Sequence, residues 1–230
     1  MSDENAASWP PSIGLTTKIV PRKDAVFQIS HATTVHAPAP HVFDTLLHAA
    51  NYPAWNTWVP RVDILSQQTS AGRIEDQSVE DLSRMSIGCT MQFDVVMNAD
   101  KSNDITKTQL KVVDISTPDS STSYISQELL ADPTFTADLT KVYRVSWTGN
   151  GGMYGLAPKL ERFHEVIVIG ENECEIRSWE IMSGMLSRVV KLMYEDTLKV
   201  KVGLWCEDLK KYCEKIHNEG TGSCGAYMVS

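Results

Sequence analysis

The feature that most constrains this chain is its last long periodic segment. Over residues 185–217, Leu186, Val190, Met193, Val200 and Leu204 recur at helical spacing on one stripe. Trp205, Leu209 and Tyr212 widen it, while Lys191, Glu195, Lys199 and Lys210 fall elsewhere. At ~1.5 Å per residue this predicts a single helix roughly 45 Å long. A helix with one apolar face has to bury it against something of comparable length, and the rest of the chain must supply that surface.

Upstream the period is mostly two. Residues 26–35, 61–67, 87–97, 105–115, 122–130, 142–147, 160–169 and 175–182 read as strands. Gly170-Glu171-Asn172-Glu173 marks a hairpin between the last two. Two short helices interrupt the series after the first strand: residues 41–50, with Val42, Phe43, Leu46 and Leu47 on one stripe, and residues 54–58, set off by Asn51-Tyr52-Pro53 and Pro60. The expectation is an α+β fold in which a curved antiparallel sheet of about seven strands wraps the long C-terminal helix. Residues 1–23 would form an arm, residues 24–217 one domain, and residues 218–230 a flexible Gly/Ser-rich tail. A helix ~10 Å wide does not fill such a sheet, so an internal pocket is expected between them.

Composition narrows the partners. The net charge is −8, and no Lys/Arg run offsets it, so nucleic acid and anionic membrane are disfavoured. No apolar run approaches the ~18 residues of a membrane span, so no membrane insertion is expected. The polar, acidic start does not read as a signal peptide. Five scattered Cys without a C-x-x-C pair and six His without H-E-x-x-H point to free thiols in a reducing, cytoplasmic setting and to no metal site. Gly149-Asn150-Gly151-Gly152 lacks the G-x-G-x-x-G spacing and precedes a strand, so no nucleotide loop and no cofactor are expected. No G-x-S-x-G occurs. The sequence leaves a homodimer open.

Three stretches carry a resemblance. The first is Val35-His36-Ala37-Pro38-Ala39-Pro40-His41-Val42-Phe43-Asp44, leading to Asn51-Tyr52-Pro53-Ala54-Trp55-Asn56. The second is the hairpin holding Arg162, His164 and Glu180 and running into Gly184, and the third is the terminal helix. Over residues 25–216 the chain resembles the SRPBCC superfamily, which includes START lipid-transfer domains and birch-pollen-allergen-like proteins. Within it, the polyketide cyclase/dehydrase family is the most similar. It departs from the allergen-like members in carrying only Gly72 across residues 68–77, where they have a Gly-rich loop. The resemblance implies the helix-grip fold and a pocket for a small, largely apolar ligand, in a family of mixed function.

If the hairpin pairs Arg162 with Glu180, His164 falls opposite Ser178 on the same face. His164 and Glu180 are then the candidate catalytic pair, able to move a proton within a cavity. Candidate ligand-binding residues are Trp58 as a lid, Arg144 and Trp147 on the strand at 142–147, Arg162, and Met193 and Tyr194 on the terminal helix. Met85, Met91, Met97, Met182 and Met185 could line a tolerant apolar wall. Two functions remain: cofactor-independent cyclisation, dehydration or isomerisation of a secondary metabolite, which the resemblance to the polyketide cyclase/dehydrase family implies, or carriage of a lipid, sterol or quinone. A pocket polar at one end favours the first and a uniformly apolar one the second.

Overall fold

The computed structural model describes residues 8–67, 82–97, 105–149 and 158–224, with side chains through residue 220. The connection between the strands expected at 87–97 and 105–115, the Gly-rich run past Gly149 and the tail from 225 lie outside these residues, as does most of the polar stretch after Gln67. Seven described strands form one antiparallel sheet: β1 (Phe27–Val35), β2 (Arg61–Ser66), β3 (Thr90–Val96), β4 (Ile105–Ser116), β5 (Val142–Gly149), β6 (Lys159–Gly170) and β7 (Glu173–Ser183). Their order across the sheet is β1-β7-β6-β5-β4-β3-β2, so the first strand closes the sheet beside the last.

Helix α1 (Ala39–Leu47) and helix α2 (Tyr52–Trp55) follow β1. Pro40 and Pro53 sit in the first turns of these helices, where a missing N–H costs nothing. Pro53 therefore lies within the start of the second helix and does not precede it. The segment 122–130 is not a strand. It bends and then forms the short helix α3 (Gln127–Leu130), whose Ser126 side chain accepts from the Leu129 N–H.

Gly184, with φ of +95°, makes the turn from β7 into helix α4 (Met185–Cys224), a conformation side-chain-bearing residues rarely adopt. The helix runs on beyond His217, through residues expected to be tail. Its buried stripe is Leu198, Val202, Trp205, Cys206, Leu209 and Cys213, set into the inner core, and β1 is the strand the helix runs beside most closely. Leu186, Met193 and Val200, expected on the buried stripe, point to solvent. Large side chains of the second half decide the helix's rotation, because that half meets the sheet. Cys206 and Cys213 are buried packing residues.

Both faces of the sheet are covered at β5 to β7. On the inner face Trp205 meets the rings of Tyr52, Trp55, Trp58, Phe93, Trp147 and His164 at centroid distances of 5.3–6.3 Å. The Asn-Tyr-Pro-Ala-Trp-Asn segment belongs to this cluster: Tyr52 donates its hydroxyl hydrogen bond to the Leu46 carbonyl, and Asn56 Oδ1 accepts from the Val59 N–H. On the outer face a second core joins Phe163, Trp179 and Ile181 of the sheet to Ile125, Leu130 and Phe135, and to Leu15 and Val20 of the N-terminal arm. Arg22 anchors the arm by two hydrogen bonds to Asp132, at 2.8 and 2.9 Å.

Candidate functional site

The β6–β7 ladder pairs Arg162 with Glu180 and His164 with Ser178, and β5 sets Trp147 beside Arg162. Arg162 Nε donates to Glu180 Oε2 at 2.6 Å. Its guanidinium lies 4.8 Å from the Trp58 ring centroid and 5.7 Å from that of Trp205. A carboxylate on one side and π faces on two others hold a charge that burial alone would expel. Among the described residues its two Nη atoms make no hydrogen bond.

This ion pair forms the polar end of a cavity of about 280 Å³ between the sheet and helix α4. Trp58, Phe93, Val95, Met97, Leu110, Leu160 and Met182 contribute apolar wall from the α2–β2 connection and the strands, and Val190, Tyr194 and Leu198 from the helix. Thr106 and Thr108 add hydroxyls from β4. The volume lies at the small end of the ~300–1,000 Å³ usual for ligand pockets.

Of the residues singled out in the sequence, the structure brings Trp58, Arg162, Glu180 and Tyr194 to this cavity. His164 does not line it. Its ring stacks on Trp205 and lies 4.6 Å from Trp147, one layer beneath Arg162, and neither ring nitrogen has a hydrogen-bond partner among the described residues. Burial holds its pKa well below the usual imidazole value, and the Arg162 charge adds to the effect, so the ring is neutral. Trp147 faces inward but is sealed beneath Phe93.

Arg144 alternates with Trp147 and so lies on the opposite face of the sheet. There its Nε donates to Glu165 at 2.8 Å and an Nη to the Thr136 carbonyl. A bulge in β4 between Val112 and Asp114 turns Asp114 to that same outer face. Asp114 and Arg144 line an outer cleft of about 410 Å³ with Ser123, Ser126 and Gln127. The outer cleft is the larger, but its charges already have partners: Glu165 for Arg144, and the Thr122 hydroxyl, which donates to Asp114. The inner cavity, largely apolar with an ion pair at one end, has the character of a candidate ligand site.

Met193 is 61% exposed on the outward side of helix α4 and does not line the cavity. Of the other methionines, Met97 and Met182 line it, Met85 and Met91 are core, and Met185 is exposed. Leu110, Leu160 and Leu198 were missed in the sequence. Strand alternation marked the first two as buried on one face or the other, without saying which.

No family model matches the chain. Among curated proteins it is 22% identical over 213 residues to oxopyrrolidines biosynthesis cluster protein O of Penicillium oxalicum, an alignment covering 88% of this chain and 94% of that one. Among solved structures it aligns with a hypothetical protein of Helicobacter pylori at a TM-score of 0.56 and 12% identity, covering 93% and 99% of the two chains. A Thermus thermophilus protein aligns at 0.51 and 7% identity, covering 83% and 99%.

Proposed function

We infer a ligand-binding function from the helix-grip fold that the resemblance to the SRPBCC superfamily implies, a seven-stranded antiparallel sheet wrapped around one long terminal helix. We propose that this chain binds a small, largely apolar metabolite in the inner cavity and promotes its cyclisation, dehydration or isomerisation. The observation that carries the reading is the buried Arg162–Glu180 pair at one end of an otherwise apolar cavity. A pure carrier of a hydrocarbon-like ligand has no use for it, because a buried ion pair adds little stability over apolar side chains of similar volume.

In this reading a carbonyl or enol oxygen of the ligand accepts from the Nη groups of Arg162, which stay protonated throughout. Glu180 takes a proton from a carbon next to that carbonyl, the electron pair moves onto the oxygen as an enolate held by Arg162, and the proton returns to a different atom of the same ligand. No redox partner is needed, and His164 takes no direct part. The words "biosynthesis cluster" in the name of the Penicillium oxalicum relative support a place in secondary metabolism.

Carriage of a lipid, sterol or quinone is the second reading. It is favoured by the apolar lining and by the burial of His164 away from the cavity. Native mass spectrometry of purified protein, with extraction of bound metabolites, identifies the ligand. Glu180→Gln is then assayed on it. The proposed reaction predicts a loss of turnover of about 10²-fold or more with affinity nearly unchanged. A change confined to affinity, with no turnover in the wild-type chain, supports the carrier.

A further inference from the structure

The first four turns of helix α4 are apolar on two opposite sides. Val190, Tyr194 and Leu198 face the cavity. On the outward side Met185, Val189, Leu192 and Val200 form a second stripe, with Leu192 88% and Met185 84% exposed. At 3.6 residues per turn these positions and Asp196 share one line along the helix. Side chains this large and this exposed in consecutive turns are unusual on a surface that meets only water.

The charges beside the stripe say what covers it. Glu195 is engaged by Lys199 on its own helix at 2.8 Å. Arg188 and Asp196 are exposed, and neither forms an ion pair among the described residues, although the charge of Lys199 acts on Asp196 from the next turn. Eight residues apart, they stand ~12 Å from each other along the helix axis and do not meet within one chain. A second copy related by a two-fold axis at Leu192 runs antiparallel. It sets Leu192 against Leu192 of the second copy and Met185 opposite the Lys199–Val200 turn of that copy. Arg188 then lies beside Asp196 of the second copy, and the same pair repeats on the other side of the axis. A membrane surface would instead bury the Asp196 carboxylate without a partner, under a chain of net charge −8.

We infer that the outward face of helix α4 from Met185 to Val200 is a homodimer interface. Two copies pack antiparallel through Leu192 and are held in register by reciprocal Arg188–Asp196 pairs. The pairing braces the same turns whose other face lines the cavity.

Sedimentation velocity on the full chain tests this directly. The wild-type chain is expected to be a dimer in the micromolar range. Leu192→Glu, at a site too exposed to matter for folding, should weaken the dimer about tenfold or more with an unchanged circular dichroism spectrum. Arg188→Glu and Asp196→Arg should each weaken it, and the double charge swap should restore it. In a Cys224→Ser background, Leu192→Cys should cross-link to its own copy on mild oxidation, while Met185→Cys should not. A wild-type chain that stays monomeric well above micromolar concentration overturns the inference. So does a dimer indifferent to Leu192→Glu, or a monomer that cosediments with anionic lipid vesicles through this face.

Discussion

Arg162 and Glu180 face each other across the β6–β7 ladder, 2.6 Å apart, both nearly excluded from solvent and both at the edge of the same cavity. Removing one partner leaves the other as an unpaired buried charge. Arg162→Met and Glu180→Met should therefore each destabilise the fold by about 3–5 kcal/mol, while the double variant should recover most of that loss. Urea unfolding of the four-member cycle measures the coupling. Additive losses would mean that water or a ligand, and not the pair, neutralises each group.

His164 makes stability depend on pH. Its folded pKa lies well below the unfolded value near 6.5, so the unfolded chain takes up a proton that the folded chain refuses. The stabilisation is complete above about pH 6.5 and is lost as pH falls below it, by up to ~1.4 kcal/mol per pH unit from this group. Urea midpoints of the wild type and His164→Leu between about pH 5 and 8 should diverge on the acid side, with the variant the less sensitive. Parallel curves would contradict the neutral, sealed imidazole.

Trp205 is the hub of the inner aromatic cluster and joins helix α4 to α2, β3, β5 and β6. Trp205→Ala should cost about 3–5 kcal/mol by opening a cavity beneath Arg162 and removing one of the two rings beside it. Trp205→Phe should cost less. Chemical denaturation followed by far-ultraviolet circular dichroism provides the measure, and a loss under ~1 kcal/mol for Trp205→Ala would show that the cluster collapses to fill the gap.

The N-terminal arm covers apolar sheet surface, with Leu15 and Val20 fully buried against the outer core. A chain beginning at Ala25 should lose at least ~3 kcal/mol, from ~1.5 kcal/mol or more for each of these two side chains. It should also bind an apolar dye at the uncovered Phe163, Trp179 and Ile181. An unchanged denaturation midpoint would show that the arm adds no stability.

The element order apart from residues 122–130, the long terminal helix and the pairing of Arg162 with Glu180 could be read from the chain alone. Each is written in local periodicity, in a four-residue hairpin connection, and in the strict alternation of side chains along a strand. Alternation also showed that Arg144 and Trp147 lie on opposite faces, but not which face is inner. Packing settled that, because strand patterning distinguishes one-sided burial only when the other side is wet. Here the N-terminal arm and the segment around α3 cover the outer face, so both faces of β5 to β7 are buried and the Arg144–Glu165 pair, whose Arg144 was expected at the pocket, sits on the outer one. The rotation of helix α4 was hidden for a related reason. Its first turns are apolar on two sides, and only the burial of Val202, Trp205, Cys206 and Leu209 in the core farther along turns Val190 and Tyr194 to the cavity and Met193 to solvent. The burial of His164 likewise depends on Trp205 arriving from the far end of the chain, a contact that no spacing within β6 encodes.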